Sequence, residues 1–212
     1  MIYYDEYQII HKRDLFSERG VIPVIKIKNY DSFIEKTYRR NYLSNPIRPN
    51  EPKEGWILPN NWFYKIKDVL RTRIVVRYLD GLKFLIDKIH HLCKEHNIEY
   101  ESHWDARFEG YYAINSYFNN INVNIIDRYS GEIVETKISV ELQISTQIQE
   151  IMKDLLHEEY EKARKLNKQN DSWKWDYNDD NFSITYLAHL LHFAEGKIME
   201  MTEKKEKKEN NG

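Results

Sequence analysis

The sequence is poor in the residues that build several common kinds of site. Its one cysteine, Cys93, excludes an intramolecular disulfide and a zinc site built on several thiolates. Its seven glycines include no Gly-rich loop between a strand and a helix, which argues against a dinucleotide-binding or P-loop fold. Long apolar runs are also missing, so no segment is expected to span a membrane. A cytoplasmic protein without a membrane partner is therefore predicted.

The chain also has little net charge. The formal net charge is -2, and a total so close to zero identifies no class of partner. Basic residues are nevertheless gathered at 26–40 and 65–77, with a mixed tail at 203–209. Local basic clusters can bind phosphates or simply form solvated faces.

The chain has 212 residues, which suits one domain with a hydrophobic core. We predict a single domain at 1–201 and a charged flexible tail at 202–212. Periodicity and turn residues predict helices at 4–18, 31–45, 81–96, 147–166 and 182–201, and strands at 21–27, 69–78, 98–103, 111–118, 121–126 and 137–145. One strand–helix–strand crossover followed by successive strands predicts an α/β (α+β) fold, with a mixed sheet flanked by helices.

Two carboxylates stand in unusual positions. Asp68 lies at the start of a predicted strand, and Glu141 lies inside another. In that strand Glu141 and Gln143 alternate with apolar residues, so one face should be polar. Two carboxylates on neighbouring strands would provide the hard oxygen ligands that Mg²⁺ prefers. A solvated or ion-paired carboxylate is the simpler explanation for either residue alone.

Cations suited to a polyphosphate lie near these carboxylates. Lys26 and Lys28 alternate on one face of an extended run, and Ser32 and Lys36 are one helical turn apart. Arg73 lies on the strand that follows Asp68. Taken without the rest of the chain, the same residues are explained equally well by a solvated strand edge and helix face.

Four segments resemble, in order, the motifs of RelA/SpoT-type small alarmone synthetases. The segment KIKNYDSFIEK at 26–36 is similar to R-x-K-x-x-x-S-x-x-x-K, and DVLRTR at 68–73 is similar to D-x-x-x-x-R. The segment RFEGYYAIN at 107–115 is similar to K-x-x-G-Y-x-x-x-H, and ELQIST at 141–146 is similar to E-x-Q-I-R-T. His157 falls where small members carry a histidine. The resemblance covers most of the chain.

The resemblance implies a nucleotidyltransferase-like single domain and a role for each matching residue. Asp68 and Glu141 would bind Mg²⁺ and act in catalysis. The residues implied to bind ATP are Lys26, Lys28, Ser32, Lys36 and Arg73. Those implied to bind the acceptor are Arg107, Tyr111, Gln143 and His157, with Tyr111 stacking on the acceptor base.

The implied reaction is the transfer of the β,γ-pyrophosphate of ATP to a ribose 3′-hydroxyl. Three departures from the motifs bear on it. Lys26 replaces an arginine that stacks on adenine, and a lysine cannot reproduce that planar contact. Asn115 replaces a histidine and Ser145 replaces an arginine, both on the acceptor side. The acceptor is therefore less clearly indicated than the donor.

Three hypotheses follow. The first is synthesis of (p)ppGpp from GDP or GTP. The second is a toxin that pyrophosphorylates the 3′ end of tRNA and is neutralised by an antitoxin protein. The third is an inactive nucleotide- or RNA-binding domain, against which the presence of both Asp68 and Glu141 argues. The sequence leaves open the acceptor and whether the chain forms a homo-oligomer.

Overall fold

The computed structural model describes residues 2–16, 23–126, 130–165 and 171–210, which form one five-stranded mixed sheet with helices around it. The strands are β1 (Lys26–Ile27), β2 (Leu70–Val76), β3 (Glu99–Ala106), β4 (Tyr112–Ile126) and β5 (Ile133–Thr146). The helices are α1 (Ile2–His11), α2 (Tyr30–Tyr38), α3 (Trp62–Lys65), α4 (Leu79–Glu95), α5 (Gln147–Lys165) and α6 (Asp180–Asn210). The predicted fold class is confirmed.

The strands lie in the order β1-β2-β5-β4-β3. Only β2 and β5 are parallel, and the other neighbours are antiparallel. The last strand in the chain, β5, is therefore the centre of the sheet, and β1 and β3 form its edges. This order places β5, with Glu141, directly between β2 and β4.

One face of the sheet carries the main hydrophobic core. Because successive side chains of a strand point to opposite faces, Leu142 and Ile144 on β5 point to the same side and are almost fully buried. They pack with Ile114 of β4 against helices α1 and α4, which contribute Tyr7 and Ile86. Burying this face leaves the other face for polar side chains.

The predicted strands at 111–118 and 121–126 are one continuous strand, β4. The register shifts between Phe118 and Ile121, and Asn120 adopts a positive φ of 56°. A β-bulge accommodates the one extra residue of β4 without ending the strand. The prediction of two strands is therefore wrong, because the Asn119-Asn120 pair bends the strand and does not make a turn.

Two helices at the start of the chain begin or end away from the predicted positions. Helix α1 stops at His11 because Lys12 has a positive φ of 52°, whereas the sequence predicts a helix to residue 18. Helix α2 begins at Tyr30, one residue before the predicted start at Asp31. The cap is Asn29, whose side chain accepts a hydrogen bond from the Asp31 N–H at 2.8 Å.

Helix α6 runs to Asn210, so the predicted helix end at residue 201 is wrong. Arg13 donates to the Glu206 carboxylate at 3.0 Å, which ties this last part of α6 to the segment after α1. Pairs such as Lys204 with Glu200 support the exposed turns. Within the described ranges, no helix is both long and apolar enough to cross a membrane.

Candidate active site

The face of the sheet opposite the core carries two rows of polar side chains. Directly paired residues on neighbouring strands point to the same face. The first row is Arg71, Glu141, Tyr117 and Glu101, and the second is Arg73, Gln143, Asn115 and His103. Each row crosses β2, β5, β4 and β3, so the predicted polar face of β5 extends across the sheet.

Asp68 precedes β2 and joins two of the predicted cations. Lys28 donates to its Oδ2 at 2.8 Å, and Lys36 donates to its Oδ1 at 2.7 Å. Burial alone would raise the pKa of the Asp68 carboxyl, but the bonds from the two lysines outweigh burial and lower it. The carboxylate is thus held ionised, with both of its oxygens facing ammonium groups.

Tyr117 lies beside one of the two candidate catalytic carboxylates. Glu141 is only 6% exposed, and Tyr117 is its directly paired neighbour on β4. Burial raises the pKa of Tyr117 most, and the charges of Glu141, Asp68 and Asp105 raise it further. Asp68 just precedes β2, where Arg71 pairs with Glu141, so the sheet brings both carboxylates to the same region.

The donor set of this site suits Mg²⁺. The ion takes one or two carboxylates and completes its octahedron with water and substrate phosphates. Asp68 and Glu141 supply the carboxylates, and the charges of both raise the pKa of Tyr117. In the part of the chain that the structure describes, no cluster of three or more His, Cys, Asp or Glu side chains forms an all-protein metal cage. A site of two carboxylates that shares its metal with a phosphate substrate fits these residues.

Arg73 is paired with a carboxylate that the sequence reading did not single out. It forms an ion pair with Glu150 in the first turn of α5. Glu150 also accepts a hydrogen bond from Ser145 at 3.1 Å and from Lys153 at 3.1 Å. Ser145, one of the departures from the family motif, therefore supports the carboxylate that holds Arg73.

The candidate acceptor residues form a second connected group. The Arg107 guanidinium lies over the Tyr111 ring, 4.9 Å from its centroid. The Tyr111 hydroxyl donates to Asn115 Oδ1 at 3.4 Å, and Asn115 Nδ2 donates to Asp105 Oδ2 at 2.6 Å. Arg107 donates to the same oxygen at 3.3 Å. Asn115, the second departure, is thus anchored by a carboxylate on β3.

Helix α6 positions the loop that carries Arg107 and Tyr111. Gly110 has a φ of +88°, and a Cβ there would lie 2.6 Å from the Ala188 Cβ. His189 contacts the Phe108 carbonyl oxygen through Nε2 at 2.9 Å and the Tyr112 hydroxyl through Nδ1 at 2.6 Å. His189 therefore ties the loop at two points to α6.

The other predicted site residues are placed as follows. Lys26 is exposed on β1 opposite Arg71, and Ser32 is exposed in the first turn of α2. Gln143 is partly buried between Arg73 and Asn115 in the second polar row. His157 lies on α5, and its side chain is outside the described part of the chain.

Sequence reasoning missed three residues of this site, namely Asp105, Tyr117 and Glu150. Alternation along β4 could have placed Tyr117 on the face of Asn115, and Glu150 lies one helical turn after Thr146. No pattern in the sequence pointed to Asp105, because its role depends on the pairing of β3 with β4. None of the three belongs to the motif positions on which the resemblance rests.

No protein-family model matches the sequence, and no curated protein matches it by sequence. Solved structures do match its fold. A GTP pyrophosphokinase family protein from Streptococcus pneumoniae superposes with a TM-score of 0.60 at 17% identity, covering 95% of this chain and 85% of its own. Small alarmone synthetase 1 from Bacillus subtilis, bound to its product pppGpp, gives a TM-score of 0.60 at 12% identity, with coverages of 95% and 86%.

The same Bacillus subtilis enzyme bound to AMPCPP gives a TM-score of 0.55 at 14% identity, with coverages of 95% and 87%. Identities this low establish the fold alone, and in each comparison the superposition includes nearly the whole chain. The chain has the fold of the small alarmone synthetases, the family that its motifs resemble.

Proposed function

We propose that the protein is an ATP pyrophosphokinase that transfers the β,γ-pyrophosphate of ATP to the ribose 3′-hydroxyl of GDP or GTP, forming (p)ppGpp. The observation that carries the proposal is the position of Asp68, which is bonded to Lys28 and Lys36 and leads into β2, the parallel neighbour of the strand that carries Glu141. A site of two carboxylates and several cations is what a metal-bound triphosphate requires.

The lysines would exchange partners when ATP binds. In the structure Lys28 and Lys36 neutralise Asp68. A phosphate oxygen accepts the same kind of charge-assisted hydrogen bond as a carboxylate. The ammonium groups would then turn to the triphosphate and leave both Asp68 oxygens for the metal ion. Mg²⁺ held by Asp68 and Glu141 would neutralise charge on the phosphates.

The bond changes follow from this arrangement. The acceptor 3′-oxygen attacks the β-phosphorus, the bond from that phosphorus to the oxygen it shares with the α-phosphorus breaks, and AMP leaves. Glu141 would take the 3′-hydroxyl proton, with Tyr117 beside it on β4. Positioning and charge neutralisation would supply most of the rate enhancement.

The acceptor would bind beside this centre. Tyr111 presents an aromatic ring for stacking, and Arg107, whose side chain is 60% exposed, lies over that ring where it could meet a phosphate of the acceptor. Support for nucleotide substrates comes from neighbours in fold that are bound to pppGpp and AMPCPP. The retained Gly110 and Tyr111 also favour a nucleotide acceptor.

The test is a transfer assay on purified protein with ATP labelled at either the α or the γ position. GDP, GTP, ATP and bulk tRNA are offered as acceptors, each with Mg²⁺ and with EDTA. We expect γ label on GDP or GTP, α label in AMP, and no transfer in EDTA. Label from the α position in ADP would indicate an ordinary phosphoryl transfer, and no transfer to any acceptor would favour the inactive binding domain.

A second candidate keeps the chemistry and changes the acceptor to the 3′ end of tRNA. The observation that favours it is the bond from Arg107 to Asp105, because Asp105 partly neutralises the cation expected to meet a nucleotide's own phosphate. An antitoxin would be a partner under this candidate only. Label that appears on tRNA and on no free nucleotide would establish it over the first.

A further inference from the structure

We propose that Asp105 selects the acceptor base by accepting hydrogen bonds from adjacent N–H groups on its edge, which makes guanine the preferred base. The inference rests on the proposed function, whose acceptor site it extends. Asp105 belongs to none of the sequence motifs and lies on β3, at the sheet edge next to the acceptor residues.

The carboxylate of Asp105 is bonded on one side only. Asn115 and Arg107 both donate to Oδ2, at 2.6 Å and 3.3 Å. Among the described residues, Oδ1 accepts no hydrogen bond shown by the structure, and the side chain is 29% exposed. A partly buried carboxylate with one oxygen held and the other open is preorganised to bind a donor.

The Asp105 carboxylate is linked through Asn115 to the residue on whose ring the base would stack. Tyr111 bonds to Asn115 through its hydroxyl, and Asn115 bonds to Asp105. Burial raises the pKa of Tyr111 most, Asn115 and Arg107 lower it, and the charge of Asp105 raises it. A base on the Tyr111 ring would therefore present its polar edge to Asp105.

The chemistry of the bases decides which edge fits. Guanine presents two adjacent donors, N1–H and the 2-amino group, one for the open Oδ1 and one for Oδ2 in place of the long bond from Arg107. Adenine and cytosine present one amino group beside a ring nitrogen that is an acceptor, and its lone pair would face the negative carboxylate. Hypoxanthine keeps N1–H and lacks the 2-amino group. A good bidentate pair discriminates by about 1 to 3 kcal/mol, which corresponds to roughly 5- to 150-fold.

Asp105→Asn tests this assignment sharply. The asparagine oxygen can replace Oδ2 and keep both internal bonds, while its amide NH₂ then takes the position of Oδ1. That substitution puts a donor where the base also presents a donor. Glu101→Gln is the matched control, because Glu101 is on the same strand and the same face and pairs with Lys67.

The experiment compares kcat/KM for GDP, IDP and ADP in the wild type, Asp105→Asn and Glu101→Gln. Calorimetric binding of GDP and IDP in the presence of Mg²⁺ and AMPCPP is measured in parallel. We expect the wild type and Glu101→Gln to prefer GDP over IDP by about 5-fold or more, and Asp105→Asn to lose that ratio with ATP KM unchanged. If the role of Asp105 were purely structural, Asp105→Asn would weaken the binding of GDP and of IDP equally.

The outcomes separate this inference from the proposed function. Transfer to GDP with a GDP/IDP ratio that Asp105→Asn does not change would overturn the inference and leave the function standing. Binding of GDP over IDP that depends on Asp105, without any transfer, would overturn the function and keep the inference. Labelled tRNA with no GDP preference in binding would assign Asp105 to anchoring Arg107 and reject base selection.

Discussion

Lys36 of helix α2 donates a hydrogen bond to Asp68 across 2.7 Å, joining a helix to the residue that leads into β2. Because the pKa of Asp68 is lowered in the folded protein, the ionised carboxylate stabilises the fold at pH values above its unfolded pKa of about 3.9. This contribution is lost as the pH falls through the lower folded pKa.

We therefore expect Asp68→Asn to reduce the free energy of unfolding by about 2 kcal/mol at pH 7, because charged hydrogen bonds are lost. The difference from the wild type should stay constant down to about pH 4 and then shrink. Urea unfolding of both proteins at pH values from 7 to 3 measures this difference in the free energy of unfolding. Asp31→Asn, an exposed position on the same helix, is the control and should show no such dependence. A difference that grows on acidification would contradict the ion-pair account.

Asp68→Asn and Glu141→Gln should each reduce transfer by roughly 1000-fold or more while the protein stays folded, since each removes a negative metal ligand without changing shape. The assay is label transfer from γ-labelled ATP, with circular dichroism as the folding check. Glu101→Gln, in the same cross-strand row as Glu141, should retain transfer. Wild-type turnover in either Asp68→Asn or Glu141→Gln would remove the metal-site assignment.

Tyr111→Ala should raise the acceptor KM by about 5- to 150-fold and leave the ATP KM within about twofold, because base stacking contributes roughly 1 to 3 kcal/mol. Tyr111→Phe should change the acceptor KM only slightly, since the hydrogen bond from the hydroxyl to Asn115 is long at 3.4 Å. The control is Tyr177→Ala, at an exposed position. Equal losses for both substrates would mean that Tyr111 serves packing.

Gly110 and Gly131 offer a matched pair for testing how α6 positions the acceptor loop. Both have a positive φ, of 88° and 73°, but only at Gly110 would a Cβ meet another residue closely. Alanine should cost about 1 to 2 kcal/mol of backbone strain at either position. Only Gly110→Ala should also raise the acceptor KM, because the loop must move away from Ala188. Steady-state kinetics and thermal unfolding are measured for both variants. An unchanged acceptor KM in Gly110→Ala would show that the loop is not held by this contact.

Salt dependence should distinguish a nucleotide acceptor from tRNA. A single diphosphate meets few cations, so its binding should survive moderate salt. Binding of tRNA should fall with a log-log slope of about -0.9 for each phosphate neutralised in duplex regions. The cations available for tRNA are Arg39, Arg40, Lys162, Arg164, Lys204, Lys205, Lys207 and Lys208. We expect a shallow slope for the acceptor KM, and a steep one would favour tRNA.

Local patterns in the sequence determined a large part of the fold and some of the site. Glu141 and Gln143 lie on the polar face of β5 because side-chain alternation is a property of the strand itself. Helical spacing likewise brought Lys36 onto the turn after Ser32. These relationships need no knowledge of which elements are neighbours, so the sequence was sufficient for them.

Only the tertiary structure decided which elements meet. The insertion of β5 between β2 and β4 depends on burying one face of all the strands together, and no local pattern specifies that order. The pairing of β3 with β4 then placed Asp105 against Asn115, and the packing of α5 placed Glu150 against Arg73. A polar contact between distant segments depends on that global packing, because each partner alone resembles a solvated side chain.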